Sequence, residues 1–250
     1  MIIGYESFRE HFKGYEDCYT IIGGTACDIL MSDVDLEFRA TKDIDMILLI
    51  ENRFEEFAQL FWDYIKAGQY KCGWKSTETP HFYRFTEPQL PNYPIMIELF
   101  SKRPDFQKDR TEHYLTPLPV SDEISSLSAI MLDDNYYQLM LEGRRTVGGI
   151  SVLGPEYLVL FKMKAWLDLT QKKNSGQHVN ERDLKKHKND VFRLFAIVDP
   201  TVRIHLPESV ANEVRQFISL ISRDTNLHDM KIDNYTAAEV LDTLREIYCL

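Results

Sequence analysis

Two segments between residues 19 and 50 differ in pattern: YTIIGGTACDIL (19–30) and FRATKDIDMILLI (38–50). The first opens with a short β-prone run, Tyr19–Ile22, which ends at Gly23 and Gly24. Apolar residues then recur at helical spacing, which predicts a helix starting at Thr25. Paired glycines allow a tight turn with exposed amides, and a helix start adds the positive end of its dipole. The segment therefore suits phosphate oxygens, although a Gly-Gly pair also occurs in plain turns and no Walker lysine motif accompanies it.

The second segment carries two acids, Asp43 and Asp45, in an otherwise apolar, strand-like run. Residues two apart on a strand point to the same face, with their Cα atoms roughly 7 Å apart. Two carboxylates directed at one spot can hold Mg²⁺, a cation that prefers oxygen ligands. Acids on a core strand are costly unless a counter-charge neutralises them. The alternative is that the pair lies at a solvated end of the strand.

A third acid, Glu98, is the single charge in the apolar run IMIELF (95–100). On a strand close to the two aspartates it would complete a carboxylate triad, in which metal ions flank a transferring phosphoryl group. The alternative is a glutamate at a strand edge that faces water.

The order of the elements predicts a mixed first domain and a helical second domain. Beyond the quoted segments, strands are predicted at His81–Phe85, Ile95–Phe100, Ile130–Leu132 and Tyr136–Leu141. Gly143–Gly149 is interpreted as a linker, and helices are predicted from Pro155 to about Lys173 and from about Asn180 to Val198. The sequence therefore predicts an α+β fold, with a mixed β-sheet domain at 1–150 followed by a C-terminal helical domain at 151–250.

Composition limits the class of protein. The chain has 250 residues, 44 % of them hydrophobic, and no apolar run approaches the roughly 18 residues of a membrane span. No secretory signal pattern is visible, so we expect a cytoplasmic protein without membrane contact. The net charge of −10 argues against a general nucleic-acid coat protein. The segment 162–193 nevertheless holds nine Lys or Arg against four Asp or Glu, either as a solvated helical surface or as a phosphate-facing wall.

The glycine turn followed by Arg39–Asp45 resembles the signature of the DNA-polymerase-β-like nucleotidyltransferase superfamily, with AbiE-type abortive-infection toxins as the closest group. The resemblance implies a nucleotidyltransferase-type mixed sheet flanked by helices, a magnesium cofactor and a nucleoside triphosphate such as ATP. It also implies that Asp43, Asp45 and Glu98 are the catalytic metal ligands. The donor phosphates would be held by the turn formed by Gly23, Gly24 and Thr25.

The resemblance extends loosely into the helical half. EYL at 156–158 leading to KMKAW at 162–166 looks like the lysine-bearing helix of the family, and RDLKKHKND at 182–190 looks like its next motif. It implies that Lys162 contacts the triphosphate, with Lys186 as the alternative. His187 belongs to the same nucleotide-binding set, and it stands where toxins of this group more often carry an acid. The identity of a general base is therefore left open.

These features predict a magnesium-dependent nucleotidyltransferase that moves a nucleoside monophosphate to an acceptor. The acceptor would be an RNA such as the end of a transfer RNA, a protein hydroxyl or a small molecule. The resemblance further suggests the toxin of a toxin–antitoxin pair, with an antitoxin as its partner. Two alternatives stay open: a nucleotide-binding module that has lost turnover, and a drug-modifying enzyme of the aminoglycoside type.

Overall fold

The computed structural model describes residues 3–49, 51, 53–72, 83–102, 115–117, 128–223, 231–232 and 235–250. The chain forms two compact units, Met1–Gly154 and Pro155–Leu250. The elements of the first unit are α1 (Tyr5–His11), β1 (Tyr19–Ile22), α2 (Gly23–Ser32), β2 (Asp43–Leu48), α3 (Phe54–Ala67), β3 (Lys71–Cys72), β4 (Arg84–Thr86), β5 (Met96–Lys102), β6 (Leu115–Pro117), β7 (Ser128–Leu132), α4 (Asp134–Gly143), β8 (Arg144–Val147) and β9 (Ile150–Leu153). Whether the units are separate domains with the predicted bounds stays a prediction.

The described strands of the first unit form one mixed sheet in the order β3-β4-β5-β2-β1-β9-β8. The pairs β2–β5 and β1–β9 are parallel, whereas β1–β2 and β4–β5 are antiparallel. Strand β7 pairs in parallel with the last residues of β5 and carries β6 on its other side. This architecture confirms the predicted α+β class with a mixed sheet.

The centre of the sheet is apolar because its strands are covered on both sides. All four residues of β1 are buried, as are all four of β9. An aromatic cluster joins α1 and α3 to β1, with Phe8 edge-on to Tyr19 and Phe57 stacked on the same tyrosine at 5.9 Å between ring centroids. Rings in these arrangements add about 0.5–1.5 kcal/mol per pair beyond the burial of their area. The cluster fixes β1, the strand that leads into the glycine turn.

The second unit is helical, as predicted. It contains α5 (Pro155–Asn174), α6 (Glu181–Phe195), α7 (Glu208–Ile221) and α8 (Ala237–Ile247), with a short hairpin of β10 (Lys231–Ile232) and β11 (Tyr235–Thr236). Thr236 and Glu239 form a reciprocal capping box at the start of α8. Within the described part of the chain, no helix is long and apolar enough to span a membrane.

Three local predictions were wrong. Tyr136–Leu141 lies in helix α4 and not in a strand, because the side chain of Asp133 caps the helix by accepting a hydrogen bond from the amide of Asn135 at 2.9 Å. Gly143–Gly149 is not a linker, since four of its residues form β8 and pair with β9. Helix α2 begins at Gly23 and not at Thr25. Strand β4 is Arg84–Thr86, and residues 81 and 82 of the predicted strand lie outside the described residues.

Candidate active site

Four neighbouring strands bring the predicted acids to one level of the sheet. Asp45 of β2 pairs in register with Glu98 of β5, and Glu98 lies directly opposite Arg84 of β4. On its other side Asp45 is opposite Ile22, the last residue of β1. Directly paired residues project from the same face of a sheet, and so do residues two apart, which adds Asp43. Three carboxylates and one guanidinium therefore share this face.

The glycine turn lies directly against Asp45. Gly23 has φ +72°, and a Cβ atom at this position would lie 2.0 Å from Oδ2 of Asp45. A Cβ atom at Gly24 would lie 2.7 Å from Oγ1 of Thr41 and 3.3 Å from a guanidinium nitrogen of Arg39. Only glycine permits this close approach of backbone to carboxylate. The structure thus brings together the turn and the acidic strand that the sequence placed 20 residues apart.

The first backbone amides of α2 are not capped by a side chain. Its N-cap residue is Ile22, whose side chain cannot accept a hydrogen bond, and no side-chain cap is present. The first amides of a helix have no partner inside the helix, so they favour an anion. Thr25 is fully buried, and its Oγ1 donates to the backbone oxygen of Asp43 at 2.7 Å. This bond joins the helix start to the acidic strand.

Glu98 is held by an arginine. Nε of Arg84 donates to Oε1 of Glu98 at 2.8 Å, and a terminal nitrogen of Arg84 contacts the same oxygen. The side chain of Glu98 is 12 % exposed and that of Arg84 is 46 % exposed. Partial burial of Arg84 opposes its charge, but the hydrogen bond and charge of Glu98 outweigh burial and raise the pKa of Arg84, with Asp45 acting in the same direction. The guanidinium therefore stays charged beside the acids.

The two aspartates fit a magnesium ion better than the complete triad does. Asp43 and Asp45 are partly exposed at alternate positions of a strand whose other residues are buried. Mg²⁺ is commonly bound by one or two carboxylates together with water and substrate phosphates. Among the described residues no three Asp, Glu, His or Cys side chains form a metal-binding group. Glu98 contacts Arg84 through Oε1, and its predicted role as a metal ligand stays a prediction.

The predicted nucleotide-binding residues of the helical unit have a different environment. Lys162 is 2 % exposed, and its Nζ lies 3.1 Å from Oδ2 of Asp190, which is fully buried. A terminal nitrogen of Arg193 lies 3.5 Å from the other oxygen of Asp190. Lys162 thus links α5 to α6 inside this unit. Lys186 and His187 are half-buried on α6. The nucleotide-binding role of all three predicted residues stays a prediction.

Arg84 is a site residue that sequence reasoning missed. Its strand was predicted, but the sequence does not show which residue of one strand lies opposite Glu98. The available signal was weak: one cation in a short β-prone segment that precedes the strand of Glu98.

No protein-family model and no curated protein matches the chain. Among solved structures the chain is similar to an antigenic nucleotidyltransferase-like protein from Paracoccidioides brasiliensis, with 14 % sequence identity and a TM-score of 0.50 over 97 % of this chain and 91 % of that one. It is also similar to the Megavirus polyadenylate synthase, with 11 % identity and a TM-score of 0.37 over 88 % of this chain and 37 % of that one. The first likeness shows a nucleotidyltransferase-like fold. The predicted closeness to AbiE-type toxins stays a prediction.

Proposed function

We propose that the chain is a magnesium-dependent nucleotidyltransferase. The observation that carries this proposal is the contact between the Gly23 turn and Asp45, with Asp43 and Glu98 on the same face of the sheet. It unites a donor-rich turn suited to phosphates with carboxylates suited to Mg²⁺. The nucleotidyltransferase-like fold supports the same reaction class.

In the proposed reaction an acceptor oxygen attacks the α-phosphorus of a nucleoside triphosphate. The new oxygen–phosphorus bond forms as the bond to the β-phosphate bridging oxygen breaks, so that pyrophosphate leaves and the proton of the acceptor hydroxyl passes to solvent. Asp43 and Asp45 would hold Mg²⁺, which would neutralise phosphate charge. The amides at the start of α2 hold the phosphates, and Thr25 fixes the helix start against β2. The contribution of the protein is therefore mainly positioning and electrostatic stabilisation.

The proposal also includes an acceptor and a role as the toxin of a toxin–antitoxin pair. Neither is supported by a contact among the described residues. RNA, a protein hydroxyl and a small molecule such as a drug all carry an oxygen that can attack the α-phosphorus. The test below therefore includes total RNA and separates labelled RNA from labelled protein.

A second candidate function is nucleotide binding without turnover. The observation that favours it is the ion pair between Glu98 and Arg84, because it engages one oxygen of the acid expected to complete the metal site. Under this alternative the protein binds nucleotide in the presence of Mg²⁺ and forms no product.

The test is incubation of the purified protein with Mg²⁺ and each α-labelled nucleoside triphosphate, with and without total RNA. We expect label on an acceptor, and we expect Asp45→Asn to lower the transfer rate by at least about 100-fold because a metal-binding charge is lost. Asp63→Asn is the matched control, since Asp63 is an exposed acid on α3 whose side chain accepts a hydrogen bond from Gln59 of its own helix. Undiminished transfer by folded Asp45→Asn protein contradicts the assignment. Metal-dependent binding without product favours the second candidate.

A further inference from the structure

We infer that Arg84 is a phosphate-binding residue and that Glu98 positions it. This inference rests on the proposed function, because the phosphates are those of the nucleoside triphosphate. It gives Glu98 a role that differs from metal ligation and adds a residue that no motif indicated.

The ion pair between Arg84 and Glu98 holds the guanidinium in one orientation. Two nitrogens of Arg84 contact a single oxygen of Glu98, which fixes the plane of the guanidinium. A guanidinium has five N–H donors in a rigid fork that matches phosphate oxygens. Within the described part of the chain, Glu98 is the sole hydrogen-bond acceptor of the Arg84 guanidinium, which also lies 5.8 Å from the ring centroid of Tyr83. Two of the five N–H donors contact Glu98, and the described residues leave the other three available for a ligand.

Arg84 and the glycine turn lie on opposite sides of the carboxylates. The register places Arg84, Glu98, Asp45 and Ile22 on four successive strands. Neighbouring strands are about 4.8 Å apart, so the backbones of Arg84 and Ile22 are separated by roughly 14 Å. The glycine turn flanks the carboxylates on one side, and Arg84 flanks them on the other. A phosphate chain lying across Asp45 would meet amides at one end and a guanidinium at the other.

The charge balance of this face also favours a role for Arg84. Three carboxylates on one face repel a triphosphate, and Mg²⁺ held by the two aspartates balances two of these charges. Arg84 balances the third at Glu98, where the glutamate is only 12 % exposed. The face then becomes neutral before the nucleotide arrives. A Glu98 without Arg84 would leave an uncompensated charge next to the phosphates.

The experiment is calorimetric titration with inorganic tripolyphosphate, and in parallel with an equimolar mixture of the four nucleoside triphosphates, across a series of Mg²⁺ concentrations. The variants are Arg84→Ala, Arg84→Lys, Glu98→Gln and the double variant Arg84→Met/Glu98→Gln, which leaves no unpaired charge. Arg9→Ala is the matched control, since Arg9 pairs with Glu6 and its side chain is 35 % exposed. Circular dichroism verifies that each variant is folded.

At saturating Mg²⁺ we expect Arg84→Ala and the double variant to bind tripolyphosphate about 10-fold or more weakly, because charge-assisted hydrogen bonds are lost. Arg84→Lys should recover part of the affinity, and Arg9→Ala should equal the wild type. Glu98→Gln should also weaken binding at saturating Mg²⁺ without changing the Mg²⁺ concentration at half-saturation. If Glu98 were a metal ligand, Glu98→Gln would have the opposite effect. It would raise the Mg²⁺ concentration at half-saturation and leave the affinity at saturating Mg²⁺ unchanged.

The outcomes separate this inference from the proposed function. Wild-type affinity in folded Arg84→Ala and double-variant protein overturns the role of Arg84. A shifted Mg²⁺ midpoint with unchanged limiting affinity in Glu98→Gln overturns the positioning role of Glu98. Failure of the wild-type protein to bind either probe at any Mg²⁺ concentration overturns the proposed function, and this inference with it.

Discussion

Gly23 is the residue on which the geometry of the site depends most directly. Its left-handed φ costs another residue about 1–3 kcal/mol, and a Cβ atom would overlap Oδ2 of Asp45. We expect Gly23→Ala to lower the affinity for tripolyphosphate in Mg²⁺ by at least about 10-fold, because Asp45 or the turn must move. Calorimetry measures the affinity, and urea unfolding measures the stability.

Gly14 provides the control for this substitution. It has φ +84°, and among the described residues no heavy atom beyond its own chain neighbours lies within 4 Å of the position that a Cβ atom would take. Gly14→Ala should therefore lower the free energy of unfolding by a comparable amount, because of the backbone conformation alone. Its affinity for tripolyphosphate should equal that of the wild type. Equal affinity losses in the two variants would mean that the overlap with Asp45 has no role in binding.

Among single residues, the sequence predicts contacts between positions that lie close along the chain. It does not predict contacts that depend on the pairing of separate strands. Asp43 and Asp45 share a face because strand geometry has a period of two. The approach of Gly23 to Asp45 and the ion pair between Arg84 and Glu98 depend on the register of separate strands. A register is fixed by the packing of the whole sheet, and a short segment does not encode it.

Among the elements, α5 and α6 are joined by a buried ion pair that a substitution can test. Lys162→Met leaves Asp190 without its nearest cation, and Asp190→Leu leaves a buried ammonium, so each should reduce the free energy of unfolding by about 3–5 kcal/mol. The double variant removes both charges and should recover most of the loss. Urea unfolding measures all three.

An exposed pair between the same two helices is the control. Lys173 lies 2.6 Å from Glu181 with side chains 52 % and 67 % exposed, so Lys173→Met should cost at most about 1 kcal/mol. The double variant also tests the predicted triphosphate contact of Lys162. A loss of affinity for tripolyphosphate in the folded double variant would support that contact, and unchanged affinity would contradict it.

Elements with strong local signals were predicted correctly. The helices of the second unit have apolar stripes and caps, such as the capping box of Thr236 and Glu239, that are visible in a short window. Helix α4 was missed because its tyrosines favour strands, although Tyr136, Leu139 and Met140 are buried at helical spacing behind the cap of Asp133. Strand β8 was missed because its two arginines lie between glycines that favour a linker; among the described strands it pairs with β9 across the turn at Gly148 and Gly149.

For the whole molecule we expect the backbone amides with the slowest hydrogen exchange to form two groups, one in each unit. In the first unit β1 and β2 are paired on both edges and carry mostly buried side chains, whereas β3 is a two-residue strand at the edge of the sheet. In the second unit α5 packs against α6 and α7. Hydrogen exchange followed by mass spectrometry should show the slowest amides in β1, β2 and α5, because buried paired backbone opens least often. Exchange of β1 as fast as that of β3 would contradict this sheet order.

The fold class could be predicted at this scale because it depends on the alternation of strand and helix patterns over many residues. The strand order could not, since β1 takes β9 as its second neighbour although 131 positions separate Thr20 from Ser151, whose hydroxyls lie 3.2 Å apart. Distant pairings of this kind depend on which edges remain open after the nearer strands have formed.

The parallel pairing of β1 with β9 also has a consequence for synthesis on the ribosome. Strand β1 can pair with β2 early, but its other edge stays open until Ile150–Leu153 has been made. A growing chain therefore exposes an apolar strand edge, the kind of surface that recruits chaperones or aggregates. Ribosome-bound chains that end before residue 150 should be the ones that need such protection.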